Sequence, residues 1–346
     1  MLSLLIIGAS DAGISAALRA KEIQPDADVT VVSADAYPNF SICGLPFWIG
    51  NEVKNWRDLA HRTLDDIEAA GIRLLLNHRA EHIKISKKLV VLSGPDDQEL
   101  KQSYDRLIIA TGAEPKTPAI KGITASNVFP LRFMADAFSV DRFITDKNPK
   151  SAIILGGGYI GLEMTEALVH RNIETTLVEA APAVLPTLNP VMGKQVEKTL
   201  AAQGVKVITG RLIRAISVGK NGGLIAEGDE NLRVAADMIL AATGVTPAVS
   251  LAASAGIELA QSGAIAVSRR METNIADIYA AGDCAETWHR MLNRHIYLPL
   301  GTTAHKQGRI AGENAVGGVA EFQGVLGTQV VKVFDRVAAR TGLKES

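Results

Sequence analysis

Cysteine is scarce. Cys43 and Cys284 are the only two in 346 residues, too few for a disulfide framework and in keeping with the reducing cytoplasm. They lie far apart and neither sits in a Cys-x-x-Cys pair, so any redox chemistry uses one protein sulfur at a time. Excess charge is lacking too. The formal net charge is −1, which gives no basic field to draw nucleic acid or anionic lipid. The longest uncharged stretch, Met238 to Ile257, is broken by Gly244 and Pro247 and excludes a membrane span. Leu2 to Ile7 has no cationic segment before it and runs into a glycine turn, so it reads as a buried strand and not a signal peptide. His-Glu-x-x-His, Gly-x-Ser-x-Gly and a Walker loop are all absent, and no metal site is expected. His78 and His82 are four apart, but the alternation around them reads as strands and a turn, which makes them a solvated pair. Lys87, Lys88, Asp96 and Asp97 read as exposed loop charges.

What the chain does have is a repeat. Its length and its 47% hydrophobic content suffice for two domains with full cores. Leu5-Ile6-Ile7-Gly8-Ala9-Ser10-Asp11-Ala12-Gly13 aligns with Ile153-Ile154-Leu155-Gly156-Gly157-Gly158-Tyr159-Ile160-Gly161, each a short apolar run followed by a glycine turn that opens an amphipathic helix. The offset is 156 − 8 = 148 residues. A second echo pairs Ala110-Thr111-Gly112 with Ala242-Thr243-Gly244, each closing a strand. Prolines at 115, 118 and 247 then mark crossings between domains.

The second copy carries the fuller nucleotide signature. Gly156, Gly158 and Gly161 complete Gly-x-Gly-x-x-Gly between strand and helix, giving a turn, a close backbone approach to a pyrophosphate and tight helix–strand packing. Tyr159 and Ile160 open the helix whose free N–H groups face the phosphates. Glu179 ends the next strand, where a carboxylate holds ribose hydroxyls. It would repel a 2′-phosphate, and Ala180-Ala181-Pro182 supplies no arginine to accept one, so NADH is expected over NADPH. In the first copy Ser10 replaces the middle glycine, and either Ser33 or Asp35 follows the next strand. Just beyond that strand lies Phe40-Ser41-Ile42-Cys43-Gly44-Leu45-Pro46. Gly44 and Pro46 suit the first turn of a helix, so Cys43 is expected at a positive helix end that favours thiolate.

These segments, with Ile278-Tyr279-Ala280-Ala281-Gly282-Asp283 and Leu298-Pro299-Leu300-Gly301-Thr302-Thr303-Ala304-His305, resemble those of the flavin-dependent pyridine nucleotide–disulfide oxidoreductases. The likeness is to the single-cysteine branch that contains coenzyme A-disulfide reductase, NADH oxidase and NADH peroxidase. The resemblance implies an α/β fold of two Rossmann-like domains, with an NAD(P)H domain (115–245) inserted in an FAD domain (1–114 with 246–325). It implies FAD held by Gly8, Ser10, Asp11, Ala12, Gly13, Ser33 or Asp35, Ser41, Ala110, Thr111, Gly112, Gly282, Asp283, Thr302, Thr303 and Ala304. The nicotinamide dinucleotide falls to Gly156, Gly158, Tyr159, Ile160, Gly161, Glu179 and Gly244, with Glu163 positioning the ring. Cys43 is the catalytic sulfur, a low-molecular-weight disulfide or persulfide the substrate, and coenzyme A disulfide the first candidate. Cys284 reads as a packed residue, and His305 as either a proton shuttle or a structural histidine.

Oxidase and peroxidase members carry a histidine where this chain has Asp11, which argues against peroxide chemistry. Residues 326–346 read as the start of a dimerisation domain most of which this chain lacks. Val330, Val331, Val333 and Phe334 are therefore expected to be exposed, and a homodimer is expected of the full-length protein. The rivals are an NADH oxidase or peroxidase and a flavoprotein electron carrier that does not use the cysteine.

Overall fold

The two glycine-turn repeats build two separate parallel sheets. In the computed structural model, which describes residues 1–219 and 221–344, the chain divides into two compact units. The first comprises Met1–Phe40, Ala60–Glu114 and Thr246–Gly327; the second comprises Ser41–Leu59, Pro115–Val245 and Thr328–Ser346. Lys220 and the last two residues, within the expected segments 115–245 and 326–346, lie outside the described residues. Residues 41–59, expected with the first nucleotide fold, group by their contacts with the second unit.

The first unit's sheet runs Ile278–Ala280, Arg106–Ile109, Ser3–Ile7, Asp28–Val32, Ile72–Leu75, parallel throughout. Leu4, Ile6, Val31 and Ile108 are fully buried in it, as expected of strands covered on both faces. The second unit repeats the plan with Lys206–Thr209, Glu174–Glu179, Ser151–Leu155, Met238–Ala241, Val128–Pro130, again all parallel. Each unit also carries a three-stranded antiparallel sheet, at 79–103 and at 213–236.

Two helices of the first unit, Asp11–Ile23 and Gly301–Ala315, pack closely and in parallel. A Cβ on Gly308 would lie 2.1 Å from the Ala12 carbonyl oxygen, and one on Gly312 would lie 2.1 Å from that of Ala16. The contact therefore requires glycine at both positions. Arg19 clamps the pair through Nε and Nη2 to Glu313 Oε2, at 2.8 and 2.6 Å.

Two expectations change, and a third gains a partner. Lys88 is exposed in a turn, as expected, and its ammonium lies 2.6 Å from Asp277 Oδ2, a bond that with Arg106 holds the Asp277 carboxyl below its ordinary value. His78 is half-buried with Nδ1 2.7 Å from the Leu76 carbonyl oxygen, whereas His82 is exposed. Finally, the hairpin Gln329–Val333 with Arg336–Arg340 buries Val331 and Val333 and leaves Phe334 half-buried, so only Val330 of the four expected residues is exposed. Alternation in a strand places i and i+2 on one face, and this strand turns that apolar face inward.

Candidate functional site

Both glycine turns take the same backbone form. Gly8 has φ +114° and Gly156 has φ +106°, conformations that side chains rarely adopt. The Gly8 N–H donates to the Val32 carbonyl and the Gly156 N–H to that of Val178, each at 2.8 Å. A Cβ on Gly13 would lie 1.8 Å from the Gly8 carbonyl oxygen, and one on Gly161 would lie 1.9 Å from that of Gly156. The third glycine of each turn is thus fixed by helix–strand packing. A Cβ on Gly158 meets nothing within 4 Å, which leaves an open approach over the second turn.

No side chain caps the helix that either turn opens, nor the helix Gly301–Ala315. The first-turn N–H groups of each helix are therefore not taken up by a cap, and they fit an anionic ligand. Each turn fits the diphosphate of a dinucleotide.

Within the first unit, Asp11 Oδ1 lies 4.0 Å from His61 Nε2, and a Cβ on Gly301 would come within 3.2 Å of Asp11 Oδ2. His61 escapes a reading of the sequence because it belongs to no motif. The Ser33 hydroxyl donates to Asp35 Oδ1 (3.1 Å), which also accepts the Tyr37 N–H (2.9 Å). The two ribose candidates are thus tied to each other. The Thr111 hydroxyl donates to the Ala248 carbonyl at 2.7 Å, and Gly112 turns with φ +73°. Asp283 is half-buried after the strand Ile278–Ala280, which rejoins the first sheet. Its loop is braced by buried Gln307, whose Oε1 accepts the Gly282 N–H and whose Nε2 donates to the Glu286 carbonyl, both at 2.9 Å. Thr302 is exposed, and Thr303 and Ala304 are buried in the first turn of their helix. His305 is exposed. Cys284 is fully buried, with Sγ near the Ile109 and Ala281 carbonyl oxygens, and burial pushes its thiol above the ordinary value.

In the second unit, Glu179 is buried and doubly held. Oε2 accepts the Gly157 N–H at 2.6 Å and Oε1 the Ala181 N–H at 2.7 Å. Tyr159 is half-buried, its hydroxyl donating to Gln329 Oε1 at 2.6 Å. Ile160 is half-buried, and Gly244 turns with φ +96° after the strand Met238–Ala241. The Thr243 hydroxyl donates to the Lys116 carbonyl at 2.9 Å, a counterpart of the Thr111 bond in the other unit.

Cys43 is exposed in the 3-10 turn Ile42–Gly44, which leads into the helix Leu45–Ile49. The expected helix exists but has only five residues, so its dipole is small and Cys43 precedes it by two positions. Ser41 is half-buried; its N–H donates to the Leu59 carbonyl at 2.8 Å, and its own carbonyl accepts the Gly44 N–H at 3.1 Å. The Leu45 helix abuts the helix Tyr159–His170: a Cβ on Gly50 would lie 3.0 Å from Ala167 Cα, and Arg171 Nη1 donates to the Ile49 carbonyl at 2.9 Å. A small pocket opens beside this contact, lined by Pro46, Phe47, Glu52, Glu163, Glu166 and Lys332. The structure therefore places the Cys43 segment and Glu163 on neighbouring elements of one unit. Burial, with the charge of Glu166 added, pushes the Glu163 carboxyl up to about 7. His170 Nδ1 lies 3.4 Å from Glu52 Oε1, and both side chains are exposed.

Two parallel nucleotide-type sheets, uncapped glycine turns and an exposed cysteine beside the second turn's helix define an oxidoreductase of the dinucleotide-binding class. Residues 2–308 match pyridine nucleotide-disulphide oxidoreductase, and the chain belongs to that family. It is 33% identical over 341 residues to an NADH oxidase of Methanocaldococcus jannaschii, covering 98% of this chain and 75% of the relative. To an NAD(P)H sulfur oxidoreductase (CoA-dependent) of Pyrococcus abyssi it is 31% identical over 345 residues, 99% of this chain and 76% of the relative. Among solved structures, an NAD-dependent persulfide reductase from A. fulgidus superposes with a TM-score of 0.95 at 35% identity. That match covers 99% of this chain and 64% of the other, so the chain spans less than two thirds of that solved protein. Among the described residues, no helix is long and apolar enough to cross a membrane.

Proposed function

We propose that the protein is an FAD-dependent reductase that carries electrons from NADH to Cys43 and on to a low-molecular-weight disulfide or persulfide, with coenzyme A disulfide the first candidate. The observation that carries the reading is the exposed Cys43, set in a turn whose following helix shares a pocket with Glu163 of the second glycine-turn helix. The relatives named for CoA-dependent sulfur and persulfide chemistry support the substrate class. FAD, when bound, accepts a hydride from NADH and yields two electrons to sulfur. Ser10, Asp11, Ala12 and Asp283 would then hold its diphosphate and ribitol, and the Thr302 helix would lie toward its pyrimidine edge. Gly158 admits the NADH diphosphate, and Glu179, already fixed by two N–H groups, meets the adenosine ribose. That fixed charge disfavours a 2′-phosphate, which gives NADH the preference.

The Cys43 thiolate attacks one sulfur of R–S–S–R, forming Cys43–S–S–R as R–S⁻ leaves. Two electrons and one proton then cleave that bond, restoring the thiolate and releasing R–SH. We place the reaction in the cytoplasm and the working protein in a homodimer. Oxygen is the rival acceptor, favoured by the NADH oxidase relative. NADH oxidation measured against disulfides, persulfides, peroxide and oxygen separates the two. The Cys43→Ser variant should still take hydride from NADH yet lose disulfide turnover by at least about a thousandfold. Unchanged disulfide turnover in that variant would remove Cys43 from the reaction, and turnover driven by oxygen alone would make the protein an oxidase.

A further inference from the structure

Three side chains of metal-ligating type converge in the second unit, away from its glycine turn. Glu166 and His170 are four apart on the helix Tyr159–His170 and so share one face. Glu52 comes from the turn after the Leu45 helix, more than 100 residues earlier, where its N–H donates to the Phe47 carbonyl at 2.8 Å. One carboxylate oxygen of each glutamate and one ring nitrogen of His170 all lie within 4.8 Å of one another.

The spacing inside the group fits a shared ion better than direct pairing. His170 Nδ1 and Glu52 Oε1 stand 3.4 Å apart, longer than a charge-assisted hydrogen bond of about 2.7–2.9 Å. Two ligand atoms held at about 2.0–2.2 Å by one tetrahedral Zn²⁺ stand roughly 3.4 Å apart. Glu166 is only 7% exposed, and its Oε2 accepts the Phe334 N–H at 2.7 Å, an outer bond that orients the carboxylate. Its other oxygen, Oε1, accepts no hydrogen bond among the described residues, and Lys332 Nζ stands 3.9 Å from it. The His170 ring meets the Phe334 ring edge-on with centroids 6.1 Å apart, which limits its rotation. Glu163 also lines the pocket, so even with that carboxyl protonated two carboxylates face a single ammonium. Arg171 does not make up the balance, being engaged with Asp141 at 3.2 Å and with the Ile49 carbonyl.

We propose that Glu52, Glu166 and His170 form a binding site for a divalent transition ion of the Zn²⁺ class, which ties the segment 41–59, with Cys43 in it, to the second glycine-turn helix. The imidazole nitrogen selects against Mg²⁺ and Ca²⁺, which take oxygen ligands, and the two carboxylates balance the charge of the ion. Three protein ligands leave a fourth position for water. The sequence shows no metal motif because only the fold brings Glu52 to the other two.

The test titrates Zn²⁺ by calorimetry into the FAD-loaded full chain, stripped of metal by a chelator and held at neutral pH. One equivalent should bind. Glu52→Gln and His170→Ala should each weaken that binding at least about tenfold, the least that losing even an outer partner of a ligand costs. Both side chains are exposed, so both variants should keep the parent's circular dichroism and flavin spectrum. Cys43→Ser should bind Zn²⁺ as the parent does, and Mg²⁺ should not displace it. Weakened binding in both ligand variants with Cys43→Ser unaffected establishes the site. A parent that binds no Zn²⁺, full affinity in either ligand variant, loss in Cys43→Ser, or displacement by Mg²⁺ would overturn it.

Discussion

The two glycine turns share a backbone and differ in what they place on it. Gly8 and Gly156 adopt similar φ, donate to equivalent carbonyls and are closed by Gly13 and Gly161 at nearly equal clearance. The differences lie at positions that packing leaves free. Where the second turn has Gly158, with open space above it, the first has Ser10. Where the second strand ends in a doubly held Glu179, the first ends in a Ser33–Asp35 pair tied to itself. One helical turn further in, 163 − 148 = 15, so the counterpart of Glu163 is Ser15, a small buried side chain without charge. The shared geometry specifies dinucleotide binding in general. The differing side chains give the two turns different surroundings.

That division can be broken experimentally. The largest effect should come from the positions the two turns share. Gly13→Ala and Gly161→Ala each force a Cβ into a carbonyl oxygen, and each should cost about 3 kcal/mol or more of stability, read as a fall in denaturation midpoint. Gly158→Ala should leave the midpoint near the parent's and weaken NADH binding, since only the open approach is filled. A stability loss at Gly158 equal to that at Gly161 would erase the distinction between packed and free positions.

The next effect is specific to the second helix. With the Glu163 carboxyl raised from 4.5 to about 7, the folded chain keeps a proton that the unfolded chain releases between those values. Stability associated with that proton is complete below pH 4.5 and is lost as pH rises through 7. Glu163→Gln should match the parent near pH 4 and exceed it at pH 8 by up to about 3 kcal/mol, since each tenfold change in proton affinity is worth about 1.4 kcal/mol. Chemical denaturation at the two pH values measures the difference, and the same change at Ser15 should show no such pH dependence. The smallest effect concerns cofactor choice. Glu179→Arg should raise the NADPH-to-NADH ratio of kcat/KM by at least about tenfold, roughly 1.4 kcal/mol. A parent that already prefers NADPH would end the argument from that carboxylate.

The features legible in the sequence are those whose cause is local. A glycine forced to positive φ, or pressed on a strand, is recognisable from its neighbours, so both turns and their strands can be read without a structure. Glu163 stands out in the sequence as a candidate, but its raised proton affinity comes first from burial beside Pro46 and Phe47, more than 100 residues earlier, and then from Glu166. Gln307 stays hidden for the same reason, since its partners Gly282 and Glu286 precede it by a loop and a hairpin. The expected exposure of Val331 and Val333 fails because a strand's inner face is known only once its partner is known. Gly308 and Gly312 have a visible signal in their spacing of four opposite Ala12 and Ala16, but that signal has meaning only when the two helices are known to touch.

That last contact has an electrical consequence. Because Gly308 meets Ala12 and Gly312 meets Ala16, the two helices run the same way, and the Asp11 side chain at the start of one reaches Gly301 at the start of the other. Two backbone dipoles aligned side by side repel, and helices of ordinary bulk would keep them further apart. Glycine and alanine remove that separation, so the fold sets two like-oriented dipoles side by side. An anion seated at either helix start would do more than bind: it would offset the repulsion between the two dipoles, as a keystone takes the thrust of an arch.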